Sequence, residues 1–249
     1  MRSPPPRRPR ARPPELVVPL RLAWPTGVPP SAPFTELGRD DWYLWGHFRY
    51  PRGAARITWH LSGSIHEELH FDPEGRRHGL EINRYPDGTV LWQVPWVHGS
   101  MHGLARNFDR HGEEVARARF VHGTGLDVWG EDEIGELREL VGGERHGVER
   151  WGHPRYPSEE SYFLGGKLAG IVRHFTGPAL EDGYPKFYLD DEEVSRARYL
   201  RARRRRPELV PYRPEDDRRE RPLLPALRRI WLRADLRARL LQLPDPADP

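Results

Sequence analysis

Short apolar and aromatic runs, closed by glycine and proline, set the pattern of this chain. Through its middle, residues 80–85 give way to 90–97, and residues 104–108 to 115–121. Runs of this length, rich in β-branched and aromatic residues and bounded by turn formers, predict strands. The breaks between them are Pro86–Asp87–Gly88 and Arg110–His111–Gly112. Both contain residues that tolerate the positive φ of tight hairpin turns. Upstream, residues 15–24 and 41–50 predict strands around a Pro-rich loop at 25–33. Residues 57–61 and 67–71 predict a hairpin turning at Ser62–Gly63–Ser64. Downstream, residues 183–189 predict a closing strand. Ser195 then caps a helix over 196–206 that stops before Pro207. Leu227, Ile230, Trp231, Ala234, Ala238 and Leu241 recur at helical spacing, which predicts an amphipathic helix over 226–241. Such a helix would cap an open sheet edge.

A glycine frame lies over this pattern. Gly75 and Gly79, Gly99 and Gly103, Gly143 and Gly147, and Gly166 and Gly170 are each four residues apart, and Gly123 with Gly125 forms a shortened copy. The second glycines of these pairs follow one another at 24, 22, 22 and 23 residues. Gly88 and Gly112 mark the second turn inside repeats one and two. A fixed period in the twenties identifies a repeat architecture, in which each unit buries its face against its neighbours. The predicted fold is therefore mainly β: one elongated antiparallel sheet of repeated hairpins, closed by one or two C-terminal helices. Residues 1–14, with six Pro and five Arg, predict disorder. N-terminal strands occupy 15–62, the hairpin repeats and closing strand 63–193, and the C-terminal helices with a Pro-rich charged linker 194–249.

The second strands of the repeats end alike, as Trp96-Val97-His98-Gly99 and Phe120-Val121-His122-Gly123, with Leu140-Val141-Gly142-Gly143 and Phe163-Leu164-Gly165-Gly166 as looser copies. With His102-Gly103-Leu104, Phe108 and Gly112 between them, residues 99–123 resemble the MORN-repeat variant of YwqK-type bacterial antitoxins. The resemblance covers roughly residues 63–176. Repeat three departs from it through the short Gly123–Gly125 gap and the missing aromatic strand end, and repeat four carries Pro154 and Pro157 at its turn. What the resemblance implies is a non-enzymatic protein-binding module, in its specific form an immunity protein that covers a cognate toxin. The alternative it implies is a structural scaffold or membrane-surface adaptor. Framework residues are shared with that family, and contact residues are not.

Composition and charge refine the picture. Apolar residues make up 37% of the chain, below the usual ~45–50%, so no thick central core is expected. With no cysteine, neither disulfides nor thiolate metal sites can form. No run approaches the ~18 apolar residues of a membrane helix. The N-terminus has no apolar stretch of a secretory leader, so a cytoplasmic location is expected. Residues 63–193 carry 25 acidic and 14 basic residues, a balance of −11, between ends of +6 and +8. An acidic middle suits a basic protein partner, such as a basic toxin, better than an anionic membrane.

The candidate chemistry is sparse. His98 and His102 are four apart, as are His66 and His70, but glycines break any helix there. On a strand that spacing separates the imidazoles by ~13 Å, so no metal site or cofactor is expected. No nucleophile or phosphate-loop motif occurs, and no catalytic residue is assigned. Acid pairs such as Glu159–Glu160 are expected to be solvated in polar loops. Trp129, with Glu131, Asp132, Glu133 and Glu136, forms the densest acidic cluster. It reads either as a solvated hairpin loop or as a docking patch with an aromatic anchor. The seven arginines in 196–206 have no interleaved aromatic residue to stack bases, so nucleic-acid binding is not expected. Several of them are expected to pair with nearby acids, Glu208 among them.

Overall fold

The computed structural model describes residues 22–129, 135–153, 155–222, 224–225 and 231–232. The N-terminal disorder expected for 1–14 lies outside them. Nine strands follow one another as β1 (Phe34–Arg39), β2 (Tyr43–Tyr50), β3 (Gly53–His60), β4 (Ile65–Phe71), β5 (Gly79–Arg84), β6 (Val90–Val97), β7 (Ser100–Met101), β8 (Gly103–Phe108) and β9 (Glu114–Phe120). They form one antiparallel meander, with the short β7 paired to β6. A second meander holds β10 (Gly125–Trp129), β11 (Glu136–Val141), β12 (Glu144–Gly152), β13 (Pro157–Leu164), β14 (Lys167–Leu168), β15 (Ile171–Thr176), β16 (Ala179–Leu180), β17 (Lys186–Leu189) and β18 (Glu192–Val194). The chain is mainly β, as its pattern predicts. It is built as two sheets, however, and not as the single continuous sheet expected.

Two kinds of turn make the meanders. In the first, residue i accepts from the glycine at i+3 and donates to the carbonyl at i+4. This pair of bonds recurs at His60–Ser64, Asp72–Arg76, Tyr85–Thr89 and Asp109–Glu113, around Gly63, Gly75, Gly88 and Gly112. In the second, two successive residues take positive φ: His98 (47°) with Gly99 (87°), His122 (48°) with Gly123 (75°), and then Gly142–Gly143 and Gly165–Gly166. Two left-handed residues in a row match the twist of the flanking strands, which explains the His-Gly and Gly-Gly dipeptides. These tips also join successive repeats. The amide of Gly99 donates to Arg77, Gly123 to Met101, Gly143 to Gly123 and Gly166 to Arg145.

The Gly-x-x-x-Gly spacing houses a bulge. Trp96 pairs with Met101 and Gln93 with Arg106, so three steps on one strand face five on the other. Leu140/Arg145 against Leu137/Arg150 repeats the count, as does Phe163/Leu168 against Glu160/Arg173. At Gly123–Thr124–Gly125 the two extra residues are missing. The ladder breaks there: only Val121 and Thr124 bridge, and β9 does not pair with β10. A Cβ at Gly125 would lie 2.9 Å from the Arg119 carbonyl oxygen and 2.7 Å from the Phe120 ring, so the start of β10 packs tightly against the end of β9 without pairing to it.

Three apolar clusters hold the assembly. Near the N-terminus, Leu44, Phe48, Ile57 and Trp59 are fully buried beneath Val28 and Ala32. The Trp59 indole donates to the Ala23 carbonyl at 2.8 Å. Residues 22–24 are thus irregular cover, not the end of a predicted strand. At the sheet junction, Val94, Ala105, Ala118 and Phe120 meet Leu126, Val128, Leu137 and Leu140. At the C-terminal end, α1 (Arg196–Arg203) lays Tyr199 on Phe187 and Ile171. Ser195 caps α1 by accepting the Arg198 amide at 3.3 Å. Most of the helix predicted over 226–241 falls outside the described residues. Trp231 and Leu232 instead form a strand, β19, on the free edge of β9 opposite Arg117 and Ala116. Edge pairing left open by the broken ladder overrides helical spacing there.

Candidate functional site

Where the ladder breaks, the two sheets leave a cleft of about 480 Å³. The first sheet contributes Trp92, Trp96 and Met101 to its floor, with Arg77 and Glu81 beside them. The second contributes Asp127, Arg138 and Leu140. Asn107 ties the walls together, its side-chain amide donating to the Val128 carbonyl at 3.0 Å. A groove of about 610 Å³ opens on the other side of the break, between Val121 and Val141, both half exposed.

The charges of the cleft are paired across turns of the repeat. Arg77 donates to Glu81 at 3.0 Å and lies over the Trp96 ring at 4.7 Å. Arg145 meets Glu149 at 3.4 Å and lies over Phe163 at 5.0 Å. The two arrangements are equivalent, and their sequences, Arg77-His78-Gly79-Leu80-Glu81 and Arg145-His146-Gly147-Val148-Glu149, match at four of five positions. That recurrence is the signal by which the cleft residues could have been found. Arg138 completes the set, with Glu136 at 2.5 Å and Asp127 at 3.6 Å. Burial pushes the Glu81, Asp127 and Glu149 carboxyls up, against the pull of Arg77, Arg138 and Arg145 respectively. A floor of Trp and Met beside partly desolvated charges has the composition of an interaction hot spot.

Of the acidic cluster anticipated from the sequence, Glu136 alone has a described side chain. Glu131, Asp132 and Glu133 lie outside the described residues, and so does the side chain of Trp129, whose backbone ends β10 opposite Glu136. Glu136 itself is 1% exposed and bound to Arg138. It faces inward because strand alternation puts it on the same side as Arg138, so it is not a surface contact. Glu160 is likewise buried in β13, not solvated in a loop. It takes Arg150 at 2.9 Å, Arg173 at 3.2 Å and Arg221 at 3.3 Å. Two arginines of the 196–206 run pair as expected: Arg198 in α1 clamps Glu192, and Arg206, just beyond the helix, bridges Asp190 and Glu208.

No protein family and no curated protein matches the chain. A crystal structure of accessory secretory protein 1, 2 and 3 in Streptococcus pneumoniae is similar over 42% of this chain and 18% of that one, at 16% identity and a TM-score of 0.25. A likeness that partial carries no argument about fold or function. Among the described residues no helix is long and apolar enough to cross a membrane.

Proposed function

We propose that this chain is a non-enzymatic protein-binding module whose partner docks in the cleft between the two sheets. The observation that carries the reading is the cleft's floor. Trp92, Trp96 and Met101 line a cavity within the ~300–1,000 Å³ range of binding pockets. Arg77 is already held there by a carboxylate and an indole face, so the floor has the chemistry to take a basic side chain from a partner. A basic partner also suits the net charge of −11 over 63–193. With the resemblance to YwqK-type antitoxins, the specific form of the proposal is a cytoplasmic immunity protein that neutralises a basic toxin. The test is affinity capture from the native host with wild type and with Trp96→Ala. A partner retained by the wild type and lost by the variant supports the reading, and growth rescue on co-expression supports the immunity role. A partner held equally by both overturns the cleft as its site.

A further inference from the structure

The turn tips of the first sheet bring together three groups that the sequence keeps apart. Asp72 closes the turn after β4, His78 lies in the bulge before β5, and His98 is the first residue of the tight turn after β6. One carboxylate oxygen and one nitrogen of each imidazole lie within 4.8 Å of one another. The geometry points to a divalent transition-metal site formed by Asp72, His78 and His98, with zinc as the reference ion.

The donor set fits such an ion. Imidazole and carboxylate are the nitrogen and oxygen ligands that zinc takes, with solvent free to supply a fourth. Ligand atoms on a tetrahedral zinc stand ~3.3 Å apart. Both imidazoles are exposed, so small side-chain rotations close the remaining gap. Asp72 is buried at 6% exposure and fixed by its own turn, its Oδ1 accepting the Arg76 amide at 2.9 Å. Asp72 Oδ2 lies 2.9 Å from His98 Nδ1, and the His98 amide donates to His78 Nδ1 at 3.4 Å.

One group competes for the place. The half-exposed Arg76 guanidinium sits 2.8 Å from Asp72 Oδ2 and 3.0 Å from His98 Nδ1, where the ion would be. Metal binding must displace that side chain, while the Arg76 amide continues to hold the turn. The repeat supplies its own control. His102 and His122 form a second imidazole pair, with ring centres 4.6 Å apart against 4.8 Å for His78 and His98, and with the same amide-to-ring contact. The residue six positions before His102 is Trp96, where Asp72 stands before His78. The second pair therefore lacks a carboxylate.

Calorimetric titration of the full chain with zinc tests the site. The expected result is one saturable site per chain. His98→Ala and His78→Ala should each weaken it by more than ~10-fold, as loss of a ligand requires. Arg76→Ala should tighten it roughly three- to fivefold, the worth of a half-exposed ion pair. His102→Ala/His122→Ala should leave it unchanged, and zinc should raise the thermal midpoint of wild type but not of His98→Ala. Absence of saturable binding, weaker binding in Arg76→Ala, or equal loss in the His102/His122 variant overturns the proposal. Each readout stands apart from partner binding in the cleft.

Discussion

Glutamates at strand positions are the most telling residues of this protein. Glu68, Glu81, Glu136, Glu149 and Glu160 are all between 0% and 5% exposed. Each takes at least one arginine, from Arg84 on Glu68 at 2.7 Å to the three that surround Glu160. An ion pair this deep is weak support for stability as a pair, yet breaking it is costly because the surviving charge stays buried. Glu160→Gln should therefore destabilise the chain by about 3–5 kcal/mol in urea unfolding, and a loss under ~1 kcal/mol would show that solvent reaches the cluster. Three acids in and beside the cleft add a pH dependence of their own. Burial raises Glu81, Asp127 and Glu149, so the folded state holds protons that the unfolded chain has released. Their contribution to stability falls as pH rises from the ordinary values, 3.8 for Asp127 and 4.5 for the two glutamates, through the raised folded values. Glu81→Gln should flatten that decline in urea midpoints measured from pH 4.5 upward. A variant with the wild-type slope would assign the decline elsewhere. None of this inward charge was legible in the sequence, where an acid in a strand and an acid in a loop read alike. The repeated Arg-His-Gly-apolar-Glu motif was the available clue.

Among the elements, the turns and their spacing were legible because glycine dipeptides and turn glycines report backbone geometry directly. Strands β2, β4 to β6, β8 and β9 fall where the pattern places them, whereas β3 begins four residues earlier than predicted, at Gly53, β1 is an unpredicted strand, and the Ser195-capped helix stops at Arg203, short of 206. Less visible was the purpose of the four-residue glycine spacing. Its bulge makes the second glycine a point of close packing at Gly103, Gly147 and Gly170, though not at Gly79. A Cβ at Gly170 would stand 2.3 Å from the Tyr162 Cβ. Gly170→Ala should accordingly cost about 1–3 kcal/mol, the price of overpacking. A thermal midpoint at the wild-type value would show that the strands can part without loss. The short copy at Gly123–Gly125 carries the opposite lesson. Lengthening it by two residues should restore the bulge and let β10 pair with β9. Pairing with β10 would displace β19, so β9 amides beyond the stretch now facing Trp231 and Leu232 should exchange more slowly, whereas unchanged exchange would separate the break from the short spacing.

At the scale of the whole molecule, the meander divides into two sheets where the glycine spacing is two residues short, and the cleft opens between them. The repeat period foretold stacked hairpins. It did not foretell their division, because strand partners across a break are chosen by packing among Phe120, Leu126, Val128 and Leu137, not by a local signal. The densest acidic run ends at Glu136, whereas the aromatic residues and the paired charges of the cleft lie at the break itself.

The most direct test is the affinity of a purified partner for three forms of the full chain. Trp96→Ala should weaken binding by about 2 kcal/mol, roughly thirtyfold, as loss of a central aromatic anchor does. Replacing Glu131, Asp132 and Glu133 with Ser should change it by less than ~1 kcal/mol. Binding that survives Trp96→Ala and collapses in the triple variant would contradict the cleft and return the site to the acidic run.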